Sequence, residues 1–88
     1  MITNDTGFTS VLWRRCGTHQ EIYGRECVIT LEARPIYCDR GNFLAKLFPA
    51  GALAREIDGA DMWPRFYFDE QRAKLEVEAW LRKRGQLT

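Results

Sequence analysis

The apolar–polar pattern changes period along this chain, and the changes mark its elements. In ECVITLEA, Glu26 to Ala33, the pattern alternates every second residue. Cys27, Ile29, Leu31 and Ala33 point one way and Val28, Thr30 and Glu32 the other, which is a strand with one buried face. In FLAKLF, Phe43, Ala45 and Leu47 share one side while Leu44, Lys46 and Phe48 share the other. From Glu70 the period lengthens. Ala73, Val77, Trp80 and Leu81 fall on one face of a helix as a core stripe, with Leu75 and Ala79 off it.

Punctuation supports that helix. Asp69 is suited to accept from the free N–H groups of the first turn. Glu70 suits the positive end of the helix dipole, and Arg82, Lys83 and Arg84 the negative end. Gly85 marks the stop. The spacing therefore predicts a helix from about Glu70 to Arg84. Glu70, Lys74, Glu78 and Arg82 repeat every four residues with alternating sign and read as a solvated ladder of ion pairs.

The other segments are shorter. Residues 1–7 are polar and read as a frayed end. Phe8 to Arg15, FTSVLWRR, reads as a first strand. Gly17 to Gly24 reads as a polar turn. Ile36 to Asp39 and Asn42 to Phe48 read as a hairpin around Arg40-Gly41-Asn42. Ala52 to Asp58 reads as a strand or an irregular arm. Pro64 restricts the next strand to Arg65–Phe68, because its ring removes a donor. In that strand, Tyr67 faces opposite Phe66 and Phe68, and the pattern leaves open which register enters the core.

These elements predict one α+β domain over residues 1–88: an antiparallel sheet of about three to five strands with one C-terminal α-helix packed on one face. The N-terminal strands fall in residues 8–33; the hairpin, third strand and helix fall in 36–84. Eighty-eight residues bury about two-thirds of their unfolded surface, enough for one core. Hydrophobic content of 45% and aromatic content of 12% supply that core without a metal or disulfide and exclude a disordered chain.

The net charge is +1, from 13 basic and 12 acidic residues, so nothing in the total calls for nucleic acid or an anionic membrane. No apolar run is long enough for a membrane span, and MITNDTGFTS lacks the features of a signal peptide. Three cysteines without paired spacing argue against a disulfide scaffold. A cytoplasmic location is the expectation.

Cys16 and His19 stand as C-x-x-H, with Cys27 and Cys38 following at equal intervals. Four such ligands are the right chemistry for tetrahedral zinc, but no second close pair gives a standard zinc spacing. The reading favours structural thiols, a surface His19, no metal and no cofactor. Asp58 and Asp61 flank Gly59, as turn residues do. With no nucleophile–base–orienter set and no phosphate loop, the chain is expected not to be an enzyme and to take no small-molecule substrate.

Binding is what remains. The sheet face opposite the helix, with Tyr37, Arg40, Lys46, Arg65 and Tyr67, is the expected partner-binding surface, since Tyr and Arg concentrate binding energy. A protein partner is expected, a second copy of the chain being the simplest case. In size and composition the chain is similar to phage and prophage regulators and inhibitors such as anti-CRISPR proteins, which act by occupying a surface on a larger machine. From Tyr37 to Arg84, three strands, the Phe68-Asp69 corner and a helix resemble the DNA-binding domains of the AP2 and phage-integrase arm-binding type. That resemblance implies DNA contact through the sheet, with Arg40, Lys46, Arg55, Arg65 and Tyr67 as the contacts. Glu56, Asp58 and Asp61 oppose phosphate there, so nucleic acid is the alternative to a protein partner.

Overall fold

The computed structural model describes residues 12–34, 40–50 and 59–87. They form β1 (Trp13–Cys16), β2 (His19–Tyr23), β3 (Cys27–Ala33), β4 (Phe43–Pro49), a 3-10 turn (Ala60–Met62), β5 (Arg65–Tyr67) and one helix, α1 (Glu70–Lys83). The strands form an antiparallel meander in the order β1-β2-β3-β4-β5, and the helix covers one face. This is the α+β architecture that the pattern predicts.

Register follows from which side chains avoid water. Ile22 pairs with Ile29, Leu31 with Ala45, and Ile29 with Leu47, placing one apolar set under the helix. The core gathers Trp13, Ile22, Cys27, Ile29, Leu31, Ala45 and Tyr67 from the sheet. Ala73, Val77, Trp80 and Leu81 meet them from α1, as the helical period predicts. Trp63 packs edge-on against Trp80, with ring centroids 5.4 Å apart.

The ends of α1 are closed by side chain and backbone. Asp69 Oδ2 accepts from the Arg72 N–H at 2.8 Å, satisfying a first-turn donor. At the other end, the Gln86 N–H reaches the Leu81 carbonyl at 2.8 Å and the Gly85 N–H reaches that of Arg82 at 3.0 Å, a Schellman closure. This turn delivers buried Gln86 to the β2–β3 connection. There its Oε1 accepts from the Glu26 N–H at 2.7 Å.

Several elements differ from expectation. Gly17–Gly24 is not one turn. Gly17 and Thr18 alone make the turn, and His19–Tyr23 is β2. Its polar outward positions hide a strand that pairing on both sides imposes. The hairpin partner of Phe43–Pro49 is β3, across seven paired positions; Ile36–Asp39 and Ala52–Asp58 lie outside the described residues, as do residues 8–11 of the first strand. The helical charge ladder is only partly solvated. Glu70 and Lys74 pair at 3.3 Å, but Glu78 is buried, accepting from Trp13 Nε1 at 2.8 Å. The periodicity of α1 could not show that β1 reaches over this part of its surface.

Cys27 is fully buried. Burial, reinforced by the Glu26 carboxylate, pushes its thiol up to about 11. An unfolded thiol ionises near 8.5 to 9, so the folded state retains this proton where the unfolded state loses it. The contribution to stability is present below pH ~9 and is lost as the pH rises towards ~11. The loss is roughly 2–3 kcal/mol at most. Denaturant titrations between those pH values should show a steeper decline for the wild type than for Cys27→Ala. Equal slopes would assign the decline to other groups.

Candidate functional site on the open sheet face

The face turned away from α1 is organised in cross-strand rows. One row is Tyr23–Val28–Phe48, the next is Arg14–Glu21–Thr30–Lys46, and the third begins Cys16–His19–Glu32–Leu44 and ends at Phe66. The rows follow from antiparallel register and alternation. Residues of the first two rows, with His19 and Glu32, line an open groove of about 460 Å³. Its apolar end exposes Tyr23 by 50% and Phe48 by 46%. At the other end of the face Leu44 is buried and the Arg40 guanidinium lies 5.9 Å from the Phe66 ring.

The five residues expected on this face divide. Lys46 lies in the groove, and Arg40 lies beside Phe66. Tyr37 is outside the described residues, as is Arg55. Tyr67 is a correction: it pairs with Phe43 on the helix side and is 7% exposed, part of the core. Arg65 shares that side, 5.6 Å from the Tyr67 ring. The register that buries Tyr67 sends Phe66 to the outer face and leaves Phe68 exposed. Arg65 and Tyr67 are therefore brought together, but away from Lys46 and Arg40.

The chemistry of the open face lies in residues the expected surface omitted. Gly17 has φ +64, and no other residue type among the described ones has positive φ. A hairpin with positive φ at its first central residue only is of the II′ kind. It sets Cys16 directly opposite His19, and alternation adds Glu21 to the same face. One ligand atom from each of these three residues lies within 4.8 Å of the other two. His19 Nε2 is 3.0 Å from Glu21 Oε2, and the Tyr23 hydroxyl donates to Glu21 Oε1 at 2.8 Å. The usable signal was a hairpin glycine at Gly17 followed by His, Glu and Tyr at every second position.

The electrostatics have the carboxylate at their centre. Hydrogen bonds from His19, then Tyr23, then Cys16 hold Glu21 below the usual carboxylate range. Partial burial and the Glu21 carboxylate push the Cys16 thiol up, and the same carboxylate pushes the Tyr23 phenol up. A nucleophilic cysteine needs the reverse: a depressed thiol, with the imidazole between thiol and carboxylate. Here Glu21, not His19, is the shared partner, so the wiring is not that of a nucleophilic relay.

The four-ligand set of Cys16, His19, Cys27 and Cys38 does not assemble from the described residues. Cys27 is on the helix side, its Sγ 3.7 Å from Gln86 Oε1, and Cys38 lies outside them. No helix among the described residues is long and apolar enough to cross a membrane. No family model matches the chain, and no curated protein or solved structure is significantly similar to it.

Proposed function

We propose that this chain is a small non-enzymatic binding module that docks another protein on the open face of its sheet. One observation carries the reading: the sheet face that no described element covers bears a groove with exposed aromatics at one end and charges of both signs across it. Half-exposed Tyr23 and Phe48 offer an apolar anchor site, and Lys46 offers a cation beside it. Aromatic anchors ringed by polar groups are the usual anatomy of protein interfaces. Such a module acts by occupying a surface on a larger partner, which suits a regulator or inhibitor.

The same face is less suited to nucleic acid. Glu21 and Glu32 line the groove where phosphates would have to lie, and they oppose the counterion release that drives such binding. Of the five contacts implied by the DNA-binding resemblance, Arg40 and Lys46 lie on the outer face, Arg65 and Tyr67 lie on the helix side, and Arg55 lies outside the described residues.

Capture from lysate of the source organism tests the proposal, using wild type, Phe48→Ala/Lys46→Glu and a control. The control is Leu75→Ser, on the exposed patch by the start of α1. A partner protein should bind wild type and control equally. The groove variant should bind it at least ~30-fold more weakly, as expected when an anchor worth about 2 kcal/mol is lost. Equal retention of the partner by the groove variant would remove this face from consideration. Light scattering addresses self-association: a monomer at high concentration excludes a second copy as the partner.

A further inference from the structure

We infer that Cys16, His19 and Glu21 form a zinc site at the mouth of the β1–β2 hairpin, with its fourth position open to solvent beside the groove. The inference is independent of whether a protein docks in that groove.

The donor set is one thiolate, one imidazole and one carboxylate. This mixture suits a borderline-soft ion of tetrahedral preference, and three protein ligands plus water is a regular zinc arrangement. Bond lengths of about 2.0–2.3 Å place tetrahedral ligand atoms roughly 3.3–3.6 Å apart. The His19–Glu21 separation of 3.0 Å is close to that range. The outer limit of 4.8 Å among the three atoms requires a shift of about an ångström, within reach of side-chain rotation.

Three further features mark the site as built rather than incidental. All three ligands come from one tight hairpin, so their backbones are already fixed by Cys16↔His19 pairing. The Tyr23 hydroxyl holds one carboxylate oxygen and leaves the other for the metal. Outer-shell support of this kind orients ligands and raises affinity. Thiolate and carboxylate together neutralise the dication. On binding, the Cys16 S–H proton leaves to solvent, and His19 binds through Nε2 after the proton that Nε2 shares with the ionised Glu21 Oε2 has left for solvent or moved to Nδ1. Arg14, opposite Glu21, has its guanidinium 5.9 Å from the Tyr23 ring and is the one nearby cation on β1's outward positions.

Cobalt(II) provides the probe. Metal-free protein titrated with Co2+ should take up one ion, with tetrahedral visible bands and a sulfur-to-cobalt charge-transfer band in the near ultraviolet. Zinc should then displace the cobalt. Cys16→Ser should abolish the charge-transfer band, and His19→Ala and Glu21→Gln should each lower zinc affinity at least ~10-fold. Tyr23→Phe, acting through Glu21, should lower it by up to about the same factor. Cys27→Ala/Cys38→Ser, which leaves Cys16 as the only thiol, should retain the band. Circular dichroism confirms folding of each variant, and if the double variant does not fold, Cys16→Ser alone decides. The inference is overturned by a folded wild type that shows no charge-transfer band. A band that survives Cys16→Ser, or one lost in a folded Cys27→Ala/Cys38→Ser protein, overturns it equally.

Discussion

Gly41→Ala is expected to destabilise the domain by about 3–5 kcal/mol, lowering the melting temperature by roughly 15–30 °C at this chain length. Gly41 has φ +128, a conformation essentially reserved for glycine, costing an L-residue about 1–3 kcal/mol. The steric term adds to this. A Cβ at this position would lie 2.4 Å from the Tyr67 carbonyl oxygen and 2.5 Å from its carbon. Those atoms belong to the backbone of β5, which cannot rotate aside as a side chain would. Either Gly41 or β5 must move, and moving β5 breaks Phe43↔Tyr67 and Leu44↔Phe66 and withdraws Tyr67 from the core. Gly17→Ala is the control. Its φ is also positive, at +64, but a Cβ there meets nothing within 4 Å, so only about 1–2 kcal/mol of backbone strain is expected. Chemical denaturation of both variants measures the difference. If Gly41→Ala loses no more than Gly17→Ala, the close approach to β5 has no energetic consequence.

That contact also explains what the sequence could and could not reveal. The helix was legible because its signals are local. Asp69, Gly85 and the Ala73–Val77–Trp80–Leu81 stripe act within a turn or two of themselves. The two faces of β3 and β4 were legible because their alternation is clean. The parity of β5 was not, because three residues give too short a pattern. Its choice depends on β4 beside it and Gly41 crossing over it. β2 was obscured for a different reason. Only Ile22 is an apolar residue facing the core; Gln20, also inward, hydrogen-bonds Glu70 at 2.8 Å, and His19, Glu21 and Tyr23 face out. A strand this polar is held by its neighbours rather than by its own composition.

The candidate site inherits this difficulty. In a polar turn over Gly17–Gly24, His19 and Glu21 share no defined face, and the C-x-x-H pair lacks a third group. Once β2 is a strand, alternation supplies Glu21 and Tyr23 without further assumption. Cys27 is no partner for Cys16, because its face is fixed by Ile29 and Leu31 beside it on β3. A thiol sharing that alternation has to be buried. The relevant ligand was a carboxylate two residues beyond the histidine, a spacing that has meaning only on a strand.

β1 depends on the helix as much as on the sheet. Among the described strands it pairs only with β2. Its inward Trp13 is 5% exposed and donates through Nε1 to Glu78, itself 6% exposed. The Lys74 ammonium lies 5.6 Å from the same indole. Glu78→Ala is therefore expected to cost about 3 kcal/mol, because it removes a charge-assisted hydrogen bond and leaves a buried indole N–H without an acceptor. Glu78→Gln retains an acceptor oxygen and should cost less than about 1.5 kcal/mol. Trp13→Phe leaves the buried carboxylate without its donor and should be as damaging as Glu78→Ala. When both partners become apolar, as in Trp13→Phe/Glu78→Leu, most of the loss should be recovered, since no polar group is then stranded. Wild type, Trp13→Phe, Glu78→Leu and Trp13→Phe/Glu78→Leu form a double-mutant cycle. The expected coupling is about 1–3 kcal/mol. A coupling below ~0.5 kcal/mol would mean that burial of Trp13, not its bond to Glu78, fastens β1 to the helix. The distinction reaches the open face, because β1 carries Cys16 on its outer side and Trp13 on its inner side. What holds the indole also holds the thiol opposite His19.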